Sequence, residues 1–600
     1  MMKVSDFVIS FLESKGVKDV FLISGGGMMH LLDSIGKSKK IKYYCNLNEQ
    51  ATSICADAYA QATNGLAVCM VTTGPGGTNA ITGIAAAYLD SEPILTISGQ
   101  VKTSDLVGKK GVRQIGPQEV NIVEIVKPIT KYAVLVTRKE EIKYHLDKAI
   151  YLATHGRRGP VWVDIPLDIQ GGQIDEQELL EFDPIAEGLE RRQACADLEY
   201  DKILALLNEA KRPVVLIGHG VIAAGAAKAI RETIEQSRIP VLATWRAKMA
   251  FPDDHELYFG HPGSPGPRYS NFILQNADFL LIIGTRLNVG VTAFNERNFA
   301  PKAKKVIVDI DNNEIAKLDM DFELRIVCDA GLFIQGLRTT MKQYKGPGTS
   351  EWLDYCDRMR RLYPITRESQ STPSLKTNMY LFGSKLSSYT KRDDVIVTAS
   401  SGRSCGILNL SYTRSEGQVE IGSMGLGSMG FTLPAAIGAC VASDKRRTIC
   451  LEGDGSLQHN LQELMLIGTY GLPVKLFVLN NEGYASIVVM QANHFHSNLV
   501  ACNERTGVKF PPLERIALLY GLDFYRIAND GEIDGVLKDV MADDRPILCE
   551  VLGDSSFDEI PKAISKVLPD GKIVSSKLED LFPFLPEEKT AEAMRLSWNG

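Results

Sequence analysis

Short runs of β-branched and aliphatic residues alternate with helical stretches along most of the chain, and this limits the fold more than any other feature. The runs lie at 67–72, 93–98, 161–164, 213–217, 279–283, 305–309, 394–398, 447–451, 474–479 and 547–551. Most precede a glycine-containing turn and then a helix. Such alternation predicts α/β domains built on parallel sheets. Open parallel sheets bind ligands beyond the carboxyl ends of their strands, so the turns after these runs are where chemistry is expected.

At 600 residues the chain is too long for one hydrophobic core. Two polar stretches divide it, one at about 171–201 rich in Glu, Asp and Arg, the other at about 345–376 containing Gly-Pro-Gly and Thr-Pro. The expected domains are 1–170, 190–345 and 375–555, followed by a tail over 556–600. The first and last thirds share a rough strand–turn–helix plan, although one sequence does not establish kinship between them. At the N-terminus, Val4, Phe7, Val8, Phe11 and Leu12 are spaced as in a helix with acids between them, which reads as a surface helix and not a signal peptide. No apolar run reaches the roughly 18 residues that a membrane helix needs. The formal charge of −7 comes without a basic stripe and argues against a nucleic-acid partner. Eleven scattered cysteines, none spaced C-x-x-C, predict neither a disulfide framework nor a zinc site and point to a reducing compartment, the cytoplasm by default.

The strongest motif spans 447–481. One run ends at Gly453-Asp454-Gly455, a helix is expected over about 457–469, and the next run ends at Asn480-Asn481. This is a strand–helix–strand unit with both polar clusters at one sheet edge. Glycines let backbone amides approach an anion, and a helix N-terminus adds partial positive charge. Asp454 and an asparagine from the next strand supply oxygen ligands suited to Mg²⁺. Gly-Asp-Gly alone is more often a tight turn, so the argument rests on both clusters together.

The segment resembles the thiamine diphosphate (ThDP) motif shared by pyruvate decarboxylase, benzoylformate decarboxylase and acetolactate synthase. That resemblance implies Mg²⁺ bound by Asp454, the Asn481 side chain and the Gly483 carbonyl. It places the diphosphate against Gly453, Gly455 and Ser456, with Tyr484, Ala485 and Ile487 lining the cofactor. Residues 43–101 resemble the pyrimidine-binding domain of acetolactate synthase-type enzymes. A carboxylate at a helix start, such as Glu49, is usually only a partner of the helix dipole. The resemblance makes Glu49 the activating glutamate, relaying a proton at N1′ of the aminopyrimidine. Asn48 stands where the family usually has His. By the same resemblance the glycine turns with Gly26, Gly27, Gly74, Pro75 and Asn79 lie near the cofactor, and Gln100 faces the active-site channel. Gln118-Glu119 match a Phe-Gln-Glu motif whose Phe is replaced by Pro117. Residues 425–430 resemble a family loop, which implies that Met429 is the wedge that bends ThDP and that the Gly427 carbonyl accepts from its 4′-amino group. Ser401, Gly402 and Arg403 take the place of a diphosphate-contacting loop that usually carries His-Gln.

The middle third resembles the central domain of acetolactate synthase, which holds FAD without using it for redox chemistry; the matching residues are 213–220, Gly284-Thr285-Arg286, Asp309, Asp311 and Cys328-Asp329. The Asp-Asp-Arg that should follow is Leu287-Asn288-Val289, and related decarboxylases keep the domain without flavin, so FAD is left open. No G-x-G-x-x-G opens a helix where an NAD site needs it, and Leu31 spoils a P-loop before Gly36-Lys37-Ser38. His494 and His496 lack a third metal ligand, and the basic residues at 154–158 read as an interdomain turn.

The expected fold is therefore three doubly wound parallel-sheet domains: pyrimidine-binding, central and diphosphate-binding. The resemblance, over about residues 1–555, implies ThDP- and Mg²⁺-dependent decarboxylation of pyruvate or a close relative and transfer of the two-carbon unit to a carbonyl acceptor. It implies a homodimer or homotetramer with active sites at the subunit interface, and no nucleic-acid or membrane partner. After Asn481 the family's Gly-Met-Val and Trp become Ala485-Ser486-Ile487 and Met490, which opens the acceptor side. An acceptor other than the keto acids of branched-chain amino-acid synthesis is expected, with a keto sugar as the leading candidate. The competing readings are simple decarboxylation to an aldehyde and a non-catalytic ThDP-binding paralogue, which should have lost Glu49 or Asp454. The tail, with Pro569-Asp570-Gly571 and acidic residues over 578–588, either closes over a pocket or packs on the surface.

Overall fold

All ten apolar runs form strands in the computed structural model, which describes residues 1–189, 199–346, 350–365, 375–555, 558–567, 571 and 573–595. Strands such as Ala67–Val71, Pro213–Ile217 and Phe279–Ile283 are buried along their whole length. Helices cover both faces of their sheets, which is why they read as continuous apolar runs.

The strands form three large parallel sheets. The first contains, in chain order, Asp19–Leu22, Lys42–Cys45, Ala67–Val71, Ile94–Gln100, Tyr132–Leu135 and Val161–Pro166. Across the sheet they run second, first, third, fourth, sixth, fifth. The last sheet contains Val395–Val397, Val419–Ile421, Thr448–Gly453, Val474–Asn480, Asp523–Ile527 and Ile547–Leu552, in the same spatial order. The rough plan seen in the sequence of these two thirds is thus one shared topology. The central sheet, Pro213–Ile217, Val241–Ala243, Phe279–Ile283, Lys304–Asp309 and Leu324–Val327, runs second, first, third, fourth, fifth. In all three the order reverses between the first and third strands, and ligands settle at such switch points.

The first and last sheets share one core. Helix Glu49–Thr63 packs on helix Thr432–Ala442, with the Cys55 thiol donating to the Pro434 carbonyl at 3.1 Å. Gly438 touches the Cys55 backbone so closely that no side chain fits there.

Several expectations need correction. The helix expected over 457–469 is broken into Asp454–Leu457, a 3₁₀ turn at Leu461–Glu463 and Leu464–Tyr470. The break comes where the Asn460 amide donates to the Gly430 carbonyl at 2.7 Å and Glu463 accepts from the Asn46 side chain at 2.9 Å. The polar stretch at 345–376 is more than a linker. Residues 347–349 and 366–374 lie outside the described residues, but between them helix Ser350–Leu362 buries Trp352, Tyr355, Cys356 and Met359. Residues 190–198 of the first polar stretch, and Pro569-Asp570 of the tail, also lie outside the described residues. Of the described tail residues, Asp558 and Ile560 accept from Tyr380 of the last domain, while Leu578, Leu581 and Ala593 are buried and Arg268 of the central domain donates to the Leu581 and Pro583 carbonyls. Among the described residues nine cysteines are free thiols, all buried except Cys45, whereas Cys328 is disulfide-bonded. Among the described residues no helix is long and apolar enough to cross a membrane.

Candidate functional site

The switch point of the last sheet gathers the polar residues of the 447–481 motif. Asp454 directly follows strand Thr448–Gly453 and is 4 % exposed. Its carboxylate accepts from the Gly455 amide at 2.8 Å and the Gly483 amide at 3.1 Å. Burial pushes its pKa up to about 6, opposed by these amides. The two asparagines at the end of the neighbouring strand differ. Asn480 is engaged in the sheet, donating to Glu550 at 2.6 Å and accepting from the Glu482 amide at 3.0 Å. Asn481 has a buried amide oxygen without a hydrogen-bond partner. Gly483 has φ +137, in a region that side chains rarely adopt, and presses against the Cys502 carbonyl. Glu452, just before the motif, is a buried carboxyl with one oxygen lacking a partner, and burial pushes it up to about 7. Nothing in the motif had marked it as special.

Neighbouring loops are tied to this edge. The Gly430 amide donates to the Ser456 hydroxyl at 2.8 Å, holding the loop that carries Gly427 (φ +64) and the half-buried Met429. The Tyr484 ring lies on Gly455 and meets Phe510 edge-on at 5.9 Å. Ala485 is buried at the start of helix Ala485–His494, while Ile487 and Met490 are exposed. Ser401 precedes helix Gly402–Ser411, and Gly402 (φ +74) lies near the Ser486 hydroxyl. The Arg403 guanidinium is turned toward the tail, donating to the Ser555 carbonyl at 2.6 Å and pairing with Asp558 at 3.4 Å.

A second cluster forms at the first sheet. Asn48 caps helix Glu49–Thr63, its side chain accepting from the Gln50 amide at 2.8 Å. Glu49 accepts from the Asn79 side chain at 3.0 Å, next to buried Gly74 and Gly76 and exposed Pro75. Gln118, at φ +68, abuts Gly74. Gly26 is open to space, whereas Gly27 is wedged against Thr73. Gln100 is 2 % exposed and donates to Asp164 and to the Val120 carbonyl, both at 2.9 Å. Among the described residues no hydrogen bond or ion pair joins Glu49 or Asn79 directly to Asp454, Asn481 or Gly483, although Asn46 and the Leu47 amide bond to Glu463 of the last domain.

The third site lies at the switch point of the central sheet. A cavity of about 560 Å³ opens beside Gly220, Gly284, Asp309 and Asp329. The basic residues Thr154–Arg158, read from sequence as a mere turn, line it together with Arg246 and Arg286. Arg157 reaches Asp311 at 3.1 Å and Glu314 at 2.7 Å. Their basic character was the available signal, but their place in the wall depends on how two domains pack. The expected Asp-Asp-Arg position contributes Asn288 to the wall and leaves Val289 exposed.

The comparisons with known proteins agree with this layout. Residues 2–125, 200–337 and 401–551 match, respectively, the N-terminal TPP binding, central and C-terminal TPP binding domains of thiamine pyrophosphate enzymes. A probable acetolactate synthase large subunit from Methanocaldococcus jannaschii is 31% identical over 581 residues, covering 96% of this chain and 95% of its own. The chain belongs to the acetolactate synthase-like thiamine pyrophosphate enzymes. The large subunit of acetolactate synthase isozyme 1 from Escherichia coli is 31% identical over 547 residues, 91% of this chain and 93% of its own. The chloroplastic acetolactate synthase 1 of Zea mays is 32% identical over 566 residues, 92% of this chain and 85% of its own.

Membership in the thiamine pyrophosphate enzymes implies a diphosphate and its metal, and the last sheet fits them. Asp454 supplies a carboxylate, Asn481 an uncommitted amide oxygen and Gly483 a carbonyl, the all-oxygen set that Mg²⁺ prefers when it shares its shell with phosphates. Among the described residues no group of three or more His, Cys, Asp or Glu is placed to hold a metal, and His494 and His496 are both exposed.

Proposed function

We propose that the chain is a ThDP- and Mg²⁺-dependent enzyme that decarboxylates a 2-keto acid, pyruvate or a close relative, and joins the two-carbon unit to a carbonyl acceptor. The observation that carries this reading is the buried, unpartnered Asn481 oxygen beside Asp454. A buried acceptor left open in a well-packed strand end calls for a ligand. Asp454 and Asn481 hold Mg²⁺ and the diphosphate, with the Gly455 and Ser456 turn against the phosphate oxygens. ThDP supplies a carbon nucleophile and a sink for the charge left by loss of CO₂.

Glu49 moves the proton at N1′ of the aminopyrimidine. Asn79 fixes one of its oxygens, and the other has no hydrogen-bond partner among the described residues. Following the family resemblance, a second copy brings its Glu49 to the Asp454 edge. Leu47, 55 % exposed beside Glu49, and Leu426, 39 % exposed beside Gly427, suit burial in that contact. Gln118 and Pro117 form part of the entrance, whereas Gln100 acts through the loop it fixes at Val120.

We assign the central cavity to FAD. Its volume, its glycine-lined switch point, its arginines and the carboxylates Asp309 and Asp329 suit a dinucleotide whose diphosphate is anionic and whose ribose carries hydroxyls. An absorption band at about 450 nm in the purified protein tests this, as flavoprotein cofactors report themselves by their visible spectrum.

For the acceptor we propose a carbonyl compound larger than a simple keto acid, a keto sugar first. Met490 is 43 % exposed and Ser486 is small, so the acceptor side is open. The test is product analysis: pyruvate with ThDP and Mg²⁺, alone and with candidate keto sugars. CO₂ release that rises with a keto sugar, together with a branched product, is expected. Efficient acetolactate formation from pyruvate alone overturns the acceptor, and full activity in Glu49→Gln overturns the proton relay.

A further inference from the structure

All three domains meet at one buried side chain, Arg246, in the 3₁₀ segment Trp245–Ala250 just after central strand Val241–Ala243. Its side chain is 14 % exposed. It donates to the Gly422 carbonyl of the last domain at 2.8 Å. It also donates to Glu92 of the first domain and lies 3.6 Å from Asp90. Glu92 in turn meets His219 of the central domain at 3.0 Å. Both carboxylates are only 4 % exposed, so they rely on this cation.

Asp90 holds a further connection. One of its oxygens accepts from the Met424 amide at 3.1 Å and the other from the Gly425 amide at 3.0 Å. Gly425 lies against Leu89 and Asp90 with no room for a side chain. Two residues later the chain turns at Gly427, and two after that comes Met429. Asp90, His219, Trp245, Arg246 and Met424 are all part of the wall of the central cavity. The side chains that shape the cavity are therefore the ones that fix the base of the Met429 loop.

We propose that Arg246 is a positioning residue that couples occupancy of the central cavity to the conformation of the Gly427–Met429 loop, and so to ThDP binding. This rests on the readings of the cavity as a dinucleotide site and of the loop as part of the ThDP site. A ligand filling the cavity displaces water from the Arg246–Glu92–Asp90 cluster and strengthens its attractions. It also packs Met424 from behind. The loop is then held in one form before ThDP arrives, and linkage requires the effect to be reciprocal. A planar guanidinium reaches Gly422, Glu92 and Asp90 together, which the single ammonium of a lysine cannot do.

The test titrates ThDP with Mg²⁺ into the full-length protein by fluorescence quenching, with and without saturating FAD, and repeats the titration with the two ligands exchanged. For the unaltered protein, FAD is expected to lower the ThDP Kd by roughly fivefold or more, and ThDP to tighten FAD by the same factor. Arg246→Gln, which also removes a cation from the cavity wall and so weakens FAD by itself, should bring the ratio of ThDP Kd values without and with saturating FAD close to one, and Arg246→Lys should fall between. Asp90→Asn, which leaves Arg246 in place and weakens the hold on Met424 and Gly425, should lose the coupling by a separate route and answers the question if Arg246→Gln does not fold. Both ligands binding without coupling, or undiminished coupling in Arg246→Gln and Asp90→Asn, overturns the proposal. Failure of the unaltered protein to bind ThDP or FAD at all is a different result, since it removes the underlying cofactor reading.

Discussion

The first and last sheets have the same strand order but carry opposite equipment at the same edge. In the last sheet the third strand leads into Asp454 and the fourth ends at Asn480-Asn481, leaving buried oxygens of Asn481 and Glu452 without partners. In the first sheet the third strand leads into Thr72-Thr73-Gly74 and the fourth ends at Gln100. There the polar groups close on each other. The Trp162 indole donates to Ser98 at 2.7 Å, Ser98 to Asp164 at 2.5 Å, and Gln100 to Asp164 at 2.9 Å. Its acid, Glu49, instead leaves from the second strand, at the sheet margin. One topology thus provides an open edge, with unpartnered buried oxygens, and a closed edge, whose Trp162, Ser98, Gln100 and Asp164 side chains bond to each other, so function follows from the site and not from the fold.

The sharpest way to break this contrast is Asp454→Ala. It should weaken Mg²⁺-dependent ThDP binding by more than the roughly 100-fold upper range for loss of a ligand's outer partner, and turnover should vanish with it. Asp164→Asn at the closed edge should leave ThDP binding within about twofold. Comparable losses in both variants, measured by fluorescence titration, would end the distinction between the edges.

The closed edge should instead show itself in pH dependence. Burial pushes the Asp164 carboxyl up to about 7, against the hydrogen bonds from Ser98 and Gln100. The folded form therefore holds a proton that the unfolded chain has already released. That contribution to stability is complete below the ordinary carboxylate pKa and is lost as pH rises through about 7. Urea unfolding at pH 5 and pH 8 should show a loss on the order of a few kcal/mol that Asp164→Asn flattens. Parallel behaviour of the two proteins would remove Asp164 as the source.

The open edge can be dissected at its two asparagines. Asn480→Ala strands the Glu550 oxygen it serves and should cost about 1–3 kcal/mol in stability. Asn481→Ala should leave stability nearly unchanged while weakening Mg²⁺ binding. The reverse pattern in paired unfolding and titration experiments would exchange their roles. The smallest effect is expected at the margin of the first sheet, where Asn48→Ala removes a helix cap and should cost about 1 kcal/mol. A cost near zero by chemical denaturation would make Asn48 a substrate-facing residue and nothing more.

The fold was legible in the sequence where strands are buried on both faces, because such strands appear as uninterrupted apolar runs. Marginal strands such as Tyr132–Leu135, Val241–Ala243, Leu324–Val327, Val419–Ile421 and Asp523–Ile527 were not, being short or interrupted by polar residues like Arg325, Glu420 and Arg526. The inner strand Asp19–Leu22 was also missed, too short to stand out. The broken helix after Asp454 was hidden for another reason: Asn460 ends it by bonding to Gly430, 30 residues away. At the site, residues contiguous in sequence were found by their motifs, and Asn481 was distinguished from Asn480 by the family resemblance and not by the residues themselves. The central cavity was invisible as a whole, since its wall is assembled from Leu89–Ser91, Thr154–Arg158, the central strands' ends and Met424. Spacing carries no trace of a surface made by domain packing.

The tail has a consequence for how the protein is made. Arg268 is bonded to Leu581, 313 residues further along, and Asn276 to the carbonyl of Ala593. During synthesis the first domain emerges with the face of helix Glu49–Thr63 uncovered until helix Thr432–Ala442 is made. The central domain, finished next, has the part of helix Arg268–Asn276 that receives the tail uncovered until the last domain and then the tail have left the ribosome. That patch is the last in the nascent chain to be covered, and chaperones that bind apolar segments should be released from it last.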